Sequence, residues 1–206
     1  MNSNLEPLRK RLKSTAYARF FSARRYDALN NHSLFSLSIA SFTLIFVTLL
    51  QKYSNGCVFN PNTLELIQLL ASITIATLSI VVSFASYSIR SEKMRVSGEE
   101  INILISKIEY LQSCEWNEQA IRKTKKIRSQ YEVLKAKSLN HKNFEFEYGK
   151  MERKREESQP AVIDQTQKYN VSRSARIYNY VSYAPYVTIS ALSILLFLLS
   201  IINYIK

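Results

Sequence analysis

Three stretches of this chain carry no acidic or basic side chain: Ala28–Gln51, Leu66–Ile89 and Ile177–Ile205. A membrane span needs about 20 mostly apolar residues, and each stretch is long enough. A water-soluble domain could bury one such helix. Three are hard to bury here, because the rest of the chain is charged and poor in other core material. The first stretch opens on polar Asn30, Asn31 and His32, so its span lies nearer Ser33–Leu50. The windows predict an all-α membrane protein with three transmembrane helices.

The basic residues sort by location. Arg9, Lys10, Arg11, Lys13, Arg19, Arg24 and Arg25 precede the first span, and only Lys52 lies between the first two. The segment Arg90–Arg176 holds 19 Lys and Arg against 13 Asp and Glu. The positive-inside rule then puts the N-terminus and residues 90–176 in the cytoplasm, with residues 51–63 and the C-terminus outside. The N-terminus does not read as a signal peptide: its basic region is too long, and Ser54-Asn55-Gly56 is a poor cleavage site. On this topology Cys57 lies outside and Cys114 inside, so they cannot pair within one chain.

Five segments follow. Residues 1–32 form an N-terminal juxtamembrane helix. Its Leu5, Leu8, Leu12, Ala16 and Phe20 recur at helical spacing, which suits either the inner membrane face or packing on the rest of the protein. Residues 33–90 form a two-span hairpin turned at "SNGCVFNPNT". Nothing in the sequence breaks the second helix at Arg90, and Met94, Ile101, Leu104, Ile108 and Leu111 continue it. After a turn near Gln112–Glu115, with Ser113 as a helix cap, a second stripe runs through Trp116, Ala120, Ile127, Tyr131 and Leu134. These two stripes predict a cytosolic antiparallel helical hairpin. "NFEFEY" alternates like a strand but has no strand to pair with, so Phe144–Glu157 is read as a third, charged helix. Residues 91–157 thus make the cytosolic part. A linker, 158–176, ends at the third span, 177–206, where Tyr178, Tyr180, Tyr183 and Tyr186 suggest an interfacial aromatic belt and Pro185 sits in the first turns.

Catalytic signatures are missing. The glycines Gly56, Gly98 and Gly149 belong to no phosphate loop, and His32 and His141 lack metal-ligand spacing. The expectation is a non-enzyme without cofactor or small-molecule substrate. No charge lies inside the apolar windows, which argues against a proton-coupled pump.

Two surface features invite function. Gln68, Ser72, Ala76, Ser79, Ser83 and Ser86 fall on one face of the second span. Small residues there let helices approach closely; the same face could line water when copies assemble. Arg122, Lys123, Lys125, Lys126 and Arg128 make a basic run that is either a solvated helix face or a contact for nucleic acid or anionic lipid. No aromatic interleaves its charges, as single-strand binders usually require.

"YARFFSARRYDALNNHSLFSLSIAS" (Tyr17–Ser41), "MRVSGEEINIL" (Met94–Leu104) and "YEVLKAKSLNH" (Tyr131–His141) resemble the SLATT family of bacterial conflict-system membrane effectors. The resemblance covers about residues 10–155; the third span departs from the family's two-span core and resembles the subgroup coupled to reverse transcriptases, including retron systems. It implies an antiphage effector, held silent by a sensor module, that oligomerises and permeabilises the inner membrane, causing abortive infection. The partner it implies is a reverse transcriptase with its RNA–DNA product, or else a nucleotidyltransferase whose cyclic oligonucleotide gates the effector. The other class of reading is a scaffold that forms no pore and anchors a nucleoprotein complex to the membrane.

Overall fold

The computed structural model describes residues 5–53, 60–114, 117–140, 142–157 and 165–205. Every regular element among them is an α-helix: α1 Glu6–Tyr53, α2 Pro61–Ala85, α3 Tyr87–Ser113, α4 Glu118–Lys137, α5 Asn143–Glu157 and α6 Gln165–Ile205. Three helices are long and apolar enough to cross a membrane. The chain divides into two compact units. One comprises Met1–Asp27 and Ser88–Tyr178, the other Ala28–Tyr87 and Asn179–Lys206.

The first unit is built on one apolar core. The stripe of α3 is buried as its spacing demands, with Ile101 and Ile108 fully inaccessible. Ala120, Ile127 and Tyr131 of α4 face it. The hairpin does not close on itself, however. Leu5, Leu8, Leu12 and Ala16 complete the same core from the N-terminal end of the chain. That settles the two readings of the N-terminal stripe: its leucines lie inside protein rather than on lipid. Each leucine so buried stabilises the unit by about 1.5–3 kcal/mol. Polar ties fix the register. The Thr15 and Tyr131 hydroxyls meet at 3.0 Å in the interior, and Ser91 Oγ donates to the Ala23 carbonyl. Helix α5 lies against α1 where Gly149 approaches Ser14 and Ala18; the missing Cβ permits this contact.

The second unit packs three apolar segments, from α1, α2 and α6. The Phe46 and Phe197 rings pack at a tilt of 46° with centroids 4.6 Å apart. Gln68 Nε2 donates to Thr48 Oγ1 at 2.9 Å. The Tyr87 and Tyr186 hydroxyls lie 3.1 Å apart.

Several sequence expectations change here. The helix is unbroken at Arg90, as expected, since α3 runs from Tyr87 to Ser113, but one residue, Ser86, separates α3 from the second span. Helix α2 ends at Ala85, and Ser86 takes the left-handed conformation (φ 49°, ψ 44°) before α3 starts. Among the described residues Ser86 is the only non-glycine with positive φ. The sequence gives no warning, since neither Gly nor Pro marks the break. The cap of α4 is Asn117, whose side chain accepts from Ala120 N at 2.9 Å, and not Ser113. From Gln165 onward the expected linker is already helix α6, so Pro185 lies deep inside a helix rather than in its first turns. It removes an N–H from the ladder, which a span tolerates when neighbouring groups adjust. Thr188 Oγ1 donates to the carbonyls of Ala184 and Pro185 there. The 54–59 part of the expected turn, with Cys57, as well as Trp116, His141 and residues 158–164 lie outside the described residues.

Candidate functional site

The spans pack through a seam of small residues, but it is on α1. Ser33, Ser36, Ala40, Thr43 and Val47 recur at steps of three and four, and all are buried, Ser33 and Ser36 completely. Small side chains at this spacing bring backbones close without stranding large polar groups. Beside the seam lies a cavity of about 190 Å³ whose lining includes Thr43 of α1, Thr74 of α2 and Ser193 of α6. The spacing rule that marks the second span marks this seam equally well, so the seam is legible in the sequence.

Against that seam the α2 stripe stands out. Helix α2 turns a different face inward, through Leu64, Ala71, Ile75 and Leu78, which are buried or half-buried. Of the stripe, Ser72, Ala76, Ser79 and Ser83 are exposed. Ser72 Oγ is satisfied by its own helix, donating to the Gln68 carbonyl. The two ends behave differently: Gln68 is engaged with Thr48, and half-buried Ser86 is the left-handed residue that closes α2, its Oγ donating to the Ser83 carbonyl. The stripe therefore has an open middle of four residues and occupied ends.

The tyrosines of α6 also divide. Tyr180 is exposed, but Tyr186 is buried against Tyr87 and Tyr183 packs on His32 at 5.0 Å. Within the first unit, Tyr178 accepts a hydrogen bond from Lys142 Nζ and lies under the Arg25 guanidinium, 4.8 Å from its ring centre. These three tyrosines serve protein packing more than a membrane belt.

Arg25 is the polar centre that sequence reasoning missed. Its Nε donates to Glu145 Oε1 at 2.9 Å. Nη2 is 2.8 Å from the same oxygen, but off the hydrogen-bonding direction. The rings of Tyr26 and Phe144 flank the same guanidinium. Glu145 Oε2 accepts from the backbone N–H of Lys142, as a carboxylate three residues into a helix does when it caps that helix. The position of Glu145 near the start of a helix was a signal for the cap; nothing local announces its burial.

The five basic residues Arg122, Lys123, Lys125, Lys126 and Arg128 are all exposed on α4. They do not form one patch. Lys123 and Lys126 rim a groove between α3 and α4, while Arg122 pairs with Glu118 at 3.6 Å on its own helix.

The sequence matches the family described as SMODS and SLOG-associating 2TM effector domain family 5 over residues 1–205. The chain belongs to this family. No curated protein and no solved structure matches it. Membership in this 2TM effector family makes the chain a membrane effector of conflict systems, and the family is not a known enzyme family. The matched residues extend past 10–155 and take in α6, so the third apolar helix falls inside the matched length.

Proposed function

We propose that this 2TM effector family member is a toxin-like effector of antiphage defence, resident in the bacterial inner membrane with residues 90–176 in the cytoplasm. On a signal from a partner sensor, copies assemble through the α2 stripe and the membrane leaks. The observation that carries this reading is the division of labour between two small-residue faces. The α1 face is consumed within the chain, while Ser72, Ala76, Ser79 and Ser83 of α2 remain exposed. A face of small hydroxylated residues is suited both to close helix contact and to lining water, and lipid alone gives no reason for it. The sensor is a reverse transcriptase–RNA/DNA complex or a nucleotidyltransferase system.

The test is dye release from liposomes carrying the purified protein, and growth arrest on expression in cells. Ser79→Leu with Ser83→Leu should abolish both while membrane insertion is kept. Undiminished leakage by the double variant removes the stripe from the mechanism. Liposomes that stay sealed when the wild type is triggered would favour the scaffold reading instead.

A further inference from the structure

The hairpin of the first unit leaves one face unpartnered. On α3, Val96, Ile103 and Tyr110 repeat every seven residues and are exposed at 40%, 56% and 65%. On α4, Val133 is exposed at 48%. Between these ridges runs a groove in three successive stretches, of about 410, 320 and 600 Å³, which share Glu100, Ile103, Lys107, Gln130 and Val133 at their joins. Its floor is the outer side of the core: Leu104, Leu111, Ile127 and Leu134. From Val96 to Tyr110 the groove extends about 21 Å, four helical turns at 1.5 Å per residue.

The rim is cationic. Lys93, Lys107, Lys123, Lys126 and Lys137 line it, against Glu92 and Glu100. Glu92 is already paired with Arg95 at 2.8 Å. Among the described residues none of these five lysines has an ion pair, so their charge is available.

We propose that this groove is a docking site for an amphipathic helix with acidic flanks, supplied by a partner protein. Positions lining the groove recur at three and four residues on both helices, and a groove of that periodicity accepts a helix that presents apolar anchors at the same spacing. The rim then selects carboxylates on either side of the anchors. A second copy of this chain is the wrong occupant, because its net charge is +12 and it would bring the same lysines. Nucleic acid suits the groove poorly: Tyr110 is the one aromatic among its lining residues, and the basic run of α4 puts only Lys123 and Lys126 into it. This inference stands independently of whether the spans open the membrane.

The test uses the full chain in nanodiscs of phosphatidylcholine. The probe is a labelled synthetic helix of about 18 residues, with leucines at i, i+3 and i+4 spacing and glutamates flanking them. Saturable binding is expected, weakened about tenfold by Lys107→Glu with Lys126→Glu and unchanged by Lys125→Glu with Arg128→Glu. A probe whose glutamates are exchanged for lysines should recover binding to the first variant, which mere damage to the fold could not produce. Binding that ignores Lys107 and Lys126 would overturn the proposal. So would the absence of peptide binding beside oligonucleotide binding that depends on Lys125 and Arg128.

Discussion

Glu145 holds Arg25 with one carboxylate oxygen and caps its own helix with the other, and both side chains are almost completely buried, at 1% and 3% exposure. Removing one member of such a pair leaves an uncompensated charge inside protein, which costs about 3–5 kcal/mol. Arg25→Met or Glu145→Leu should therefore lower the thermal midpoint of the detergent-solubilised protein sharply. The double variant Arg25→Met with Glu145→Leu should recover most of the loss. A double variant as unstable as the sum of the singles would show that the two do not act as a pair.

Arg19 makes the opposite case. It is 1% exposed, and its Nε and Nη1 have no partner among the described residues. Burial lowers its pKa, and Tyr131 and Glu100 offset this only in part. A buried cation with two nitrogens lacking hydrogen bonds is destabilising, and an apolar side chain of similar length removes the desolvation cost. Arg19→Met should raise the thermal midpoint, by about 1–4 kcal/mol of stability. A lowered midpoint would mean that the guanidinium has a partner that matters.

The two helical glycines of the first unit should respond differently to alanine. At Gly149 a Cβ would collide with the Ser14 carbonyl and lie 2.9 Å from Ala18 N, and backbone cannot step aside cheaply. Gly149→Ala should separate α5 from α1 at a cost of about 1–3 kcal/mol. Faster amide exchange over 143–157 would report it. At Gly98 the new Cβ meets only the Phe20 ring, at 3.0–3.2 Å. The ring can turn, and alanine gains roughly 1 kcal/mol of helix propensity over glycine. Gly98→Ala should therefore change stability little.

Most of the helices were legible because burial in a helix writes a period of 3.6 into the sequence. Met94, Ile101, Leu104, Ile108 and Leu111 were read as one face and lie on one face. The all-helical membrane architecture followed from charge-free length alone. What stayed hidden depends on contacts between distant segments. No glycine or proline announces the break at Ser86. The partner of Arg25 lies 120 residues away. The stripe on Leu5, Leu8 and Leu12 reads the same whether its apolar cover is lipid or the core formed with Ile101 and Tyr131. The α2 stripe was visible from its spacing, but spacing cannot say whether a face is already occupied.

The contact of α5 with α1 should depend on pH at both ends. Tyr17 donates to Glu156 Oε2 at 2.7 Å. Burial first, then this hydrogen bond, pushes the Tyr17 phenol up from 10 to about 12. The bond from Tyr17, together with Lys13 and against the effect of burial, holds the Glu156 carboxyl below its usual 4.5. A raised folded pKa gives Tyr17 a stabilising effect that is complete below pH 10 and lost as pH rises toward about 12. A lowered folded pKa gives Glu156 a stabilising effect present above its ordinary value and lost as pH falls through the folded one. The thermal midpoint should thus gain most from this contact between these limits. Tyr17→Phe should abolish the alkaline loss, and an unchanged alkaline profile would refute its assignment to this phenol.

Ser86 holds a conformation that costs an L-residue roughly 1–2 kcal/mol and glycine almost nothing. Ser86→Gly should stabilise the chain by about 1 kcal/mol, and Ser86→Val, β-branched at positive φ, should destabilise it by more. If valine is tolerated as well as glycine, the left-handed turn is not maintained in the membrane.

The two small-residue faces can be separated by one kind of substitution. Ala40 lies in the α1 seam at 8% exposure, and Ala76 lies on the open stripe of α2. Leucine at a buried small site forces neighbouring backbones apart, which costs about 1–3 kcal/mol. Ala40→Leu should therefore lower the thermal midpoint of the single chain whatever its oligomeric state. Leucine at an exposed site in a span meets only lipid or detergent, so Ala76→Leu should leave that midpoint unchanged. Its effect should appear in self-association, measured by in-membrane crosslinking, if the open face is where copies meet. A stable Ala76→Leu chain that crosslinks as well as wild type would place assembly on another face. A destabilised one would show that α2 turns this face inward.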